Sequence, residues 1–336
     1  MRYIIIGAGA VGGGIGARLW ESGHEVVLTA RGAHLAALRA NGMRLATPDG
    51  TVTLPVPAVA GPSELSLRTD DVLIMAVKTQ DVTGVLDTWA WEPVAGGGTA
   101  ATALPVFCAQ NGVASERLAL RRFRDVYGVC VWMPSTHLEP GVIEAQGTPR
   151  TGMLHIGRYP AGTDDTARQV AADLTASNFL APVTENVMRW KYGKLLSNLA
   201  NAVEAVCGSA QAQGTSAGLL SELRKRARDE GTAVLAAAGI EPASPAEQAE
   251  RRGDHVTARP VNGAARGGGS SWQSLTRGTG SIEADYLNGE IVLLGREHGV
   301  PTPVNELLQR LANQFARERR APGSVTGAEL AALTSV

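Results

Sequence analysis

Cysteine is scarce in this chain, and the scarcity limits the kind of protein it can be. The 336 residues include three cysteines, Cys108, Cys130 and Cys207. They are too few and too scattered for a disulfide framework or a structural metal site. A reducing compartment fits this usage, so we expect a cytoplasmic protein without a metal centre.

The chain also lacks an excess of either charge and any long run of purely apolar residues. Lys and Arg total 31 against 32 Asp and Glu, a formal charge of -1. This balance argues against nucleic acid as the main partner, because phosphate binding needs a basic surplus. The longest uncharged stretch, 93–115, contains two prolines and a Gly-Gly-Gly run, which excludes a membrane span. The apolar start after Met1-Arg2 is broken by glycines after four residues, so we interpret it as a buried strand rather than a signal peptide.

Glycine, by contrast, is abundant, with 40 of the 336 residues. Part of that excess over the usual ~7% must lie where backbone approaches another group closely. The hydrophobic share of 44% can bury a large core. Because a single core stops growing near roughly 250–300 residues, we predict two domains, residues 1–182 and 183–336.

Short apolar runs alternate with helical patterns in the first half. This alternation predicts an α/β domain with a mostly parallel sheet covered on both faces. A helix is expected from about Val11 to Glu21, and residues 43–59, with Pro48-Asp49-Gly50, predict an inserted hairpin. The candidate strands are Tyr3–Ile6, Glu25–Thr29, Val72–Val77, Pro105–Cys108 and Val126–Trp132.

Beyond about Pro182 the strand patterns give way to long Ala-, Leu-, Glu- and Arg-rich segments with a period of 3.6 residues. They predict a mainly α-helical C-terminal domain. Residues 243–269 are rich in Pro, Gly and Arg and end in three glycines, which predicts a loop or lid between two helices.

A glycine-rich loop follows the first strand and opens the first helix. Its residues, Gly7-Ala8-Gly9-Ala10-Val11-Gly12, fit G-x-G-x-x-G. The first glycine permits a tight turn, the second lets backbone approach a diphosphate, and the third allows close helix–sheet packing. Helix N–H groups then face the anion. The motif in this context predicts a dinucleotide site.

The second strand ends in Arg31, at the place where NAD sites usually carry an acidic residue for the ribose 2′-hydroxyl. A guanidinium there can bind a 2′-phosphate through two hydrogen bonds, and no carboxylate stands beside it in the strand. The sequence therefore favours NADP(H), the alternative being an exposed arginine in a solvated turn.

Two further loops follow strand ends at the same predicted edge of the sheet. Lys78 and Gln80 come after one strand, and Asn111, within Gln110-Asn111-Gly112, after the next. Lys78 is a candidate for the cofactor's phosphate or ribose, and Asn111 for the nicotinamide ribose or substrate. A surface lysine and an ordinary Asn-Gly turn are equally consistent with the residues alone.

The first long helix of the second half carries a polar stripe. Lys191, Lys194, Asn198 and Asn201 fall within about 80° on a helical projection. Such a stripe is commonly a solvated face, but asparagines are poor helix formers, which hints at a working surface. Farther on, Glu283 is expected in the first turn of a helix capped by Ser281.

Taken together, these motifs resemble the ketopantoate reductase family (2-dehydropantoate 2-reductases) along nearly the whole chain. The resemblance rests on the following residues in this order: Gly7-x-Gly9-x-x-Gly12, Arg31, Gln110-Asn111-Gly112, Lys194-x-x-x-Asn198, Ser271 and Glu283-Ala-Asp-Tyr-Leu-Asn-Gly289. It implies a Rossmann-type N-terminal domain that binds NADPH and a helical domain, with 2-dehydropantoate reduced to pantoate for pantothenate synthesis. A small-molecule 2-oxo acid is the implied partner, with a homodimer left open.

The resemblance also implies roles for individual residues. Lys194 would be the general acid and Glu283 its carboxylate partner, with Asn198 and Ser271 as substrate contacts. Asn111 would lie between cofactor and substrate. The chemistry is coherent, because hydride addition to a ketone develops negative charge on oxygen that an ammonium group can neutralise by donating a proton.

Two positions depart from the family pattern. Ala202 stands where the family has a second asparagine, and Asn201 is displaced by one residue, which turns a helical side chain by about 100°. Gly268 stands at a further such place. A paralogue acting on another 2-oxo acid or ketone, and a non-catalytic NADP(H)-binding sensor, are therefore kept as alternatives.

A second motif is rejected. Residues 214–218 match G-x-S-x-G, the nucleophile elbow of hydrolases, but no strand pattern precedes them.

Overall fold

The computed structural model describes residues 1–208 and 217–335, which divide into two compact units. Unit 1 comprises residues 1–191 and 245–266, and unit 2 comprises residues 192–244 and 267–336. Most of the rejected G-x-S-x-G match falls at 214–216, outside the described residues. Among the helices within the described ranges, none is long and apolar enough to cross a bilayer.

The strands lie almost entirely in the first half of the chain. In order they are β1 Arg2–Ile6, β2 Glu25–Thr29, β3 Met43–Thr47, β4 Gly50–Leu54, β5 Ala58–Val59, β6 Leu67–Arg68, β7 Asp71–Met75, β8 Val94–Ala95, β9 Val106–Cys108, β10 Val126–Trp132, β11 Ser135–Thr136, β12 Val142–Ala145, β13 Gly147–Pro149, β14 Gly152–Arg158, β15 Phe179–Leu180 and β16 Val256–Ala258.

The helices dominate the second half. They are α1 Ala10–Glu21, α2 Gly32–Asn41, α3 Val82–Trp89, α4 Ala100–Ala103, α5 Ser115–Leu120, α6 Asp165–Ala176, α7 Val187–Asn198, α8 Ala200–Cys207, α9 Ala217–Ala237, α10 Pro245–Arg252, α11 Ser270–Thr276, α12 Asn288–His298, α13 Pro303–Arg317 and α14 Gly327–Ser335. Short 3-10 helices span Pro62–Glu64, Thr79–Asp81 and Glu283–Tyr286.

The main sheet of unit 1 has the strand order β15-β14-β10-β9-β7-β1-β2-β5. Its neighbours pair in parallel except β10 and β14, which run antiparallel. Both faces are covered. Tyr3 and Ile5 of β1 enter one buried apolar cluster, and Ile4 and Ile6 enter the other. This explains why residues 3–6 of β1 are all apolar, and it confirms the predicted α/β domain.

A second sheet, β11-β12-β3-β4, contains the hairpin predicted within residues 43–59. It packs against α1, where glycines permit close approach. A Cβ on Gly13 would lie 2.8 Å from a side-chain carbon of Ile143, and one on Gly14 would lie 2.1 Å from the terminal carbon of Met133. Much of the glycine excess in α1 therefore serves helix–sheet packing.

The segment predicted as a loop or lid at 243–269 contains α10 and β16. Strand β16 pairs antiparallel with β13. Arg189 binds Glu247 of α10 through two hydrogen bonds of 2.8 and 3.0 Å, and the guanidinium of Arg251 lies 5.6 Å from the ring centre of Trp190. Residues 245–266 are thereby attached to unit 1. That this segment acts as a lid when a ligand binds stays a prediction.

Unit 2 is built on helices, as predicted for the second half. Helices α8, α12 and α13 pack against the long α9. Partly buried hydrogen bonds join α9 to α13: the carboxylate of Glu230 accepts from the backbone N–H groups of Val304 and Asn305 and from the Asn305 amide. A carboxylate at the start of α13 satisfies N–H groups that have no partner within the helix.

Candidate active site

Three loops of unit 1 meet at the carboxyl edge of the main sheet. The Ala76 N–H donates to the carbonyl of Ile6 (2.8 Å), and the Ala109 N–H donates to the carbonyl of Met75 (2.8 Å). The amide of Gln110 also donates to the Met75 carbonyl (2.9 Å). The glycine loop after β1, the loop after β7 and the loop after β9 are thus neighbours, at the edge where sheets of this kind bind ligands.

At two glycines of the loop, Gly7 and Gly12, the surrounding protein leaves no room for a side chain. Gly7 has φ +99°, and a Cβ there would lie 2.9 Å from the backbone nitrogen of Val77. A Cβ on Gly12 would lie 2.2 Å from the carbonyl oxygen of Gly7 and 2.9 Å from Ala76. These positions fit the roles assigned to the first and third glycines of the motif: a tight turn and close packing of α1 on the sheet.

The second glycine is different, because the protein does not require it. Gly9 has φ -75° and ψ -160°, which any residue adopts. In the described part of the chain, the nearest non-neighbouring atom to a Cβ there would be His137 Nδ1, at 3.8 Å. Gly9 precedes the first turn of α1 and has no side chain to accept from the N–H groups of that turn. The space in front of Gly9 and these donors fits a diphosphate.

Arg31 precedes α2 and extends into solvent, its side chain 88% exposed. Its guanidinium lies 3.4 Å from the carboxylate of Asp81, at the end of the 3-10 helix after β7. The sequence expectation of an arginine with no carboxylate beside it is wrong in this respect. An exposed pair of this kind is weak, so Arg31 remains able to bind an anion.

The loops after β7 and β9 hold the other predicted cofactor residues. Lys78 precedes the 3-10 helix that contains Gln80, and both are half-buried. The hydroxyl of Thr79 donates to the carbonyl of Asn111 (3.3 Å), so the two loops are joined directly. Lys78, Gln80 and Asn111 thus belong to adjoining loops at one sheet edge.

An ion pair lies beneath these loops. Lys191 of α7 binds the carboxylate of Glu116 in α5 and donates to the carbonyl of Gln110 (3.1 Å). Burial raises the pKa of Glu116, while Lys191 opposes that change. Burial and the charge of Glu116 also raise the pKa of the Cys108 thiol, again against Lys191. Lys191, predicted to lie on a polar stripe of this helix, is therefore buried in an ion pair of unit 1 and does not lie on a solvated face.

Lys194 and Asn198 lie on the later turns of α7, in unit 2. Lys194 is half-buried and Asn198 is 9% exposed. The helix is interrupted after Asn198 and resumes at Ala200, so the predicted continuous helix through Asn201 is divided. The carbonyl of Leu199, at the interruption, accepts from the amide of Asn288 (3.3 Å).

Ser271 lies in the first turn of α11 and is buried. The start of α11 is fastened to α8, since the Gly269 N–H donates to the carboxylate of Glu204 (2.9 Å). The side-chain oxygen of Asn201 would lie 3.1 Å from a Cβ on Gly269. Asn201 and Glu204, one turn apart on α8, therefore both face the residues that precede Ser271.

Glu283 is the first residue of a 3-10 helix and is 2% exposed. The predicted α-helix begins later, at Asn288, and the residue before the 3-10 helix is Ile282, so Ser281 is not the cap that was predicted. The charge of Glu283 acts on Arg277: burial lowers the pKa of Arg277, and Glu283 opposes that change.

Both positions that depart from the family pattern lie in unit 2. Ala202 is 2% exposed in α8. A Cβ on Gly268 would lie 2.5 Å from Cγ of Trp272, and one on Gly267 would lie 2.6 Å from the same ring. The indole of Trp272 thus fills the space that a side chain at position 268 would need.

Sequence reasoning missed several residues with polar roles. His34 contacts the glycine loop, and Asn288 contacts the interruption between α7 and α8. Asn288 lies in the quoted Glu283–Gly289 motif, which was a usable signal. Asp81, His34 and Glu116 had no signal, because their partners are far away in sequence.

Comparison with known families gives one consistent result. The family described as ketopantoate reductase PanE/ApbA matches residues 3–161, and its C-terminal counterpart matches residues 186–316. A 2-dehydropantoate 2-reductase of Mesorhizobium japonicum is 29% identical, over 95% of this chain and 99% of that protein. One of Pyrococcus horikoshii is 25% identical, over 96% and 100%.

Solved structures share the fold. A PanE/ApbA family ketopantoate reductase from Ralstonia eutropha JMP134 has a TM-score of 0.75 at 27% identity, over 95% of this chain and 100% of that one. A D-mandelate dehydrogenase, solved with NADH and anilino(oxo)acetate, has a TM-score of 0.78 at 22% identity, over 96% and 100%. At that identity the second similarity concerns the fold alone.

Proposed function

The chain belongs to the ketopantoate reductase family of nicotinamide-dependent oxidoreductases, and on this premise we propose that it reduces 2-dehydropantoate to pantoate with NADPH. The observation that supports cofactor binding is Gly9, because the fold leaves room for a side chain at this position and therefore does not itself require glycine. A ligand that approaches the backbone there explains the glycine. The predicted holders are Gly7, Gly9, Ala10, Val11 and Gly12 for the diphosphate, with the remaining contacts from Arg31, Lys78, Gln80 and Asn111.

The proposed chemistry assigns the proton to Lys194. The reduced nicotinamide, when bound, supplies a hydride for the C2 ketone carbon. The ammonium group of Lys194 stabilises the developing oxyanion and donates the proton that completes the alcohol. Glu283 is the carboxylate partner of that lysine, and Asn198 and Ser271 hold the substrate. Asn111 lies between cofactor and substrate in this assignment.

The test follows NADPH absorbance at 340 nm with purified protein, 2-dehydropantoate and a panel of other 2-oxo acids. Turnover of 2-dehydropantoate with kcat/KM of ~10⁴ M⁻¹s⁻¹ or better supports the proposal. Lys194→Ala should lose more than ~100-fold in kcat while retaining NADPH binding. The control is Lys225→Ala, which removes an exposed lysine of α9 paired with Asp229 and should leave both quantities unchanged.

A paralogue that acts on another 2-oxo acid or ketone is the second candidate. The observation that favours it is the pair of positions 202 and 268, where a buried alanine and a glycine under the Trp272 indole replace amides expected from the family. D-mandelate dehydrogenase shares this fold, so the fold itself is compatible with a different substrate. Turnover restricted to another member of the panel would favour this candidate.

A non-catalytic NADP(H)-binding sensor is the remaining alternative. It predicts tight NADPH binding, no turnover of any panel substrate, and no effect of Lys194→Ala on NADPH binding. Any measurable turnover that depends on Lys194 rejects it.

A further inference from the structure

His137 lies beside the one glycine of the loop whose missing side chain the fold does not explain. A Cβ on Gly9 would have His137 Nδ1 as its nearest non-neighbouring atom, at 3.8 Å. In loops of this kind the missing Cβ of the second glycine makes room for the diphosphate. His137 is thus next to the position at which the diphosphate would approach the backbone.

The turn that carries His137 is held against the glycine loop by His34. The N–H of Gly141 donates to His34 Nδ1 (2.9 Å), and His34 Nε2 lies 2.8 Å from the carbonyl oxygen of Ala8. Because Nδ1 already accepts a hydrogen bond, the ring proton must be on Nε2, where it is donated to Ala8. His34 therefore bridges the 137–141 turn to the residue that precedes Gly9.

The two histidine rings contact each other, with centroids 4.3 Å apart and planes tilted by 45°. His34 is fixed by two backbone bonds, so its ring limits where His137 can move. His137 is half-buried, and Glu139, the acidic residue of the same turn, forms an exposed pair with Arg44 (3.3 Å). An imidazole in this position can donate an N–H to an anionic oxygen in either protonation state of the ring.

We propose that His137 binds the diphosphate of the dinucleotide cofactor and that His34 positions it. The proposal rests on the proposed function only in needing a dinucleotide at the glycine loop, and it is independent of which 2-oxo acid is reduced. It adds a side-chain contact to the backbone N–H groups at the start of α1.

The test compares the binding of two probes to the His137→Ala variant. NADPH binding is followed by its fluorescence on titration, and adenosine 2′-phosphate, which has no diphosphate, is measured by displacement of NADPH. Loss of a hydrogen bond to a charged group should raise the Kd for NADPH about 10-fold or more. The affinity for adenosine 2′-phosphate should be unchanged. Arg31→Ala should weaken both probes, because it acts on the 2′-phosphate.

Two further variants keep the result interpretable. His137→Gln retains an N–H donor and should recover part of the affinity. His255→Ala removes an exposed histidine of unit 1 and is the matched control, with no change expected for either probe. The melting temperature of each variant shows that it is folded.

Several outcomes would overturn the inference. Equal NADPH affinity of wild type and His137→Ala rejects the contact, and tighter binding by the variant means that His137 obstructs the site. Equal weakening of both probes means that the substitution disturbs the loop as a whole. If the folded wild type binds neither NADPH nor NADH, both the His137 proposal and the proposed function fail. If the wild type binds NADPH and His137→Ala binds it equally well, only the His137 proposal fails.

Discussion

Lys191 and Glu116 form an ion pair inside unit 1, with side chains only 2% and 0% exposed. The same ammonium group donates to the carbonyl of Gln110, in the loop that carries Asn111. A buried charge is costly unless it is paired, so this contact ties the start of α7 and the loop after β9 to each other. Lys194 follows one turn later on the same helix.

Removing one partner of this pair should destabilise the protein strongly. Lys191→Met leaves a buried carboxylate without its cation, and we expect a loss of about 3–5 kcal/mol in the free energy of unfolding. The measurement is urea denaturation at pH 7. Lys191→Met combined with Glu116→Leu should cost clearly less than the single change, since neither charge remains. Lys225→Met, at an exposed pair, should change stability by less than about 0.5 kcal/mol.

Acid should destabilise the protein through His155. Its ring is 1% exposed and stacked 4.0 Å from Trp190, and within residues 1–208 and 217–335 neither ring nitrogen has a hydrogen-bond partner. Burial, together with the charge of Arg251, lowers the pKa of His155 to about 3. The unfolded chain, with an ordinary pKa near 6.5, binds this proton first, so stability is complete above about pH 6.5 and falls as pH decreases towards 3.

The measurement is the free energy of unfolding against pH for wild type and His155→Phe, which keeps the stack on Trp190. The wild type should lose up to about 1.4 kcal/mol more per pH unit within that window. His255→Phe, at an exposed position, is the control and should leave the slope unchanged. Parallel curves for wild type and His155→Phe would contradict the prediction.

The two glycines Gly9 and Gly12 should respond oppositely to alanine. Gly9→Ala should fold with nearly wild-type stability, because the new Cβ would lie 3.8 Å from His137 Nδ1, an ordinary van der Waals distance. The same change should weaken NADPH binding at least about 10-fold. Gly12→Ala should lower stability by about 1–3 kcal/mol or more, since its Cβ would lie 2.2 Å from a backbone oxygen. Thermal unfolding and NADPH titration on both variants decide this. Unchanged binding by Gly9→Ala would remove the main support for the cofactor site.

The preference between NADPH and NADH should depend on Arg31 and Asp81. Arg31→Ala should raise the Kd for NADPH about 10- to 100-fold and leave that for NADH almost unchanged, because only NADPH carries the 2′-phosphate. Asp81→Asn should tighten NADPH about two- to fivefold by releasing Arg31 from a weak pair. Titrating both cofactors into each variant tests this. A fall of equal size for both cofactors in Arg31→Ala would mean that the arginine does not recognise the 2′-phosphate.

Asn288 should be important for stability. It donates to the carbonyl of Leu199 and to the side-chain oxygen of Asn305 (2.9 Å) in a buried setting. Asn288→Ala leaves these acceptors short of a donor and should cost about 1–3 kcal/mol. Asn313→Ala, which removes an exposed bond to Asp285, should cost less than about 0.5 kcal/mol in the same denaturation experiment.

The fold class and family were predictable because their signals are local. The apolar β1, the glycine loop and α1 lie within 20 residues, and period and glycine spacing specify them directly. The helical second half follows from periodicity in the same way. The exact helix ends were less predictable: Leu199 interrupts one predicted helix, and α12 begins at Asn288 rather than near Ser281.

Contacts between distant residues were not predictable. Lys191 appeared to belong to the polar stripe of its helix, yet its partner Glu116 is 75 residues away in sequence. Asp81 lies 50 residues from Arg31 and has no signal that links the two. Gly268 appeared as a lost amide, and its close approach to the Trp272 ring required coordinates.

The sequence alone therefore determined the first strand, glycine loop and helix, the α/β character of the first half and the helical character of the second half. Those properties depend on dihedral preferences and on side-chain spacing within a few residues. Only the tertiary structure decided which charges are paired, which histidines flank the glycine loop and which buried groups resist protonation. Hydrogen bonds and ion pairs act over a few ångströms, and folding sets those distances between residues far apart in the chain.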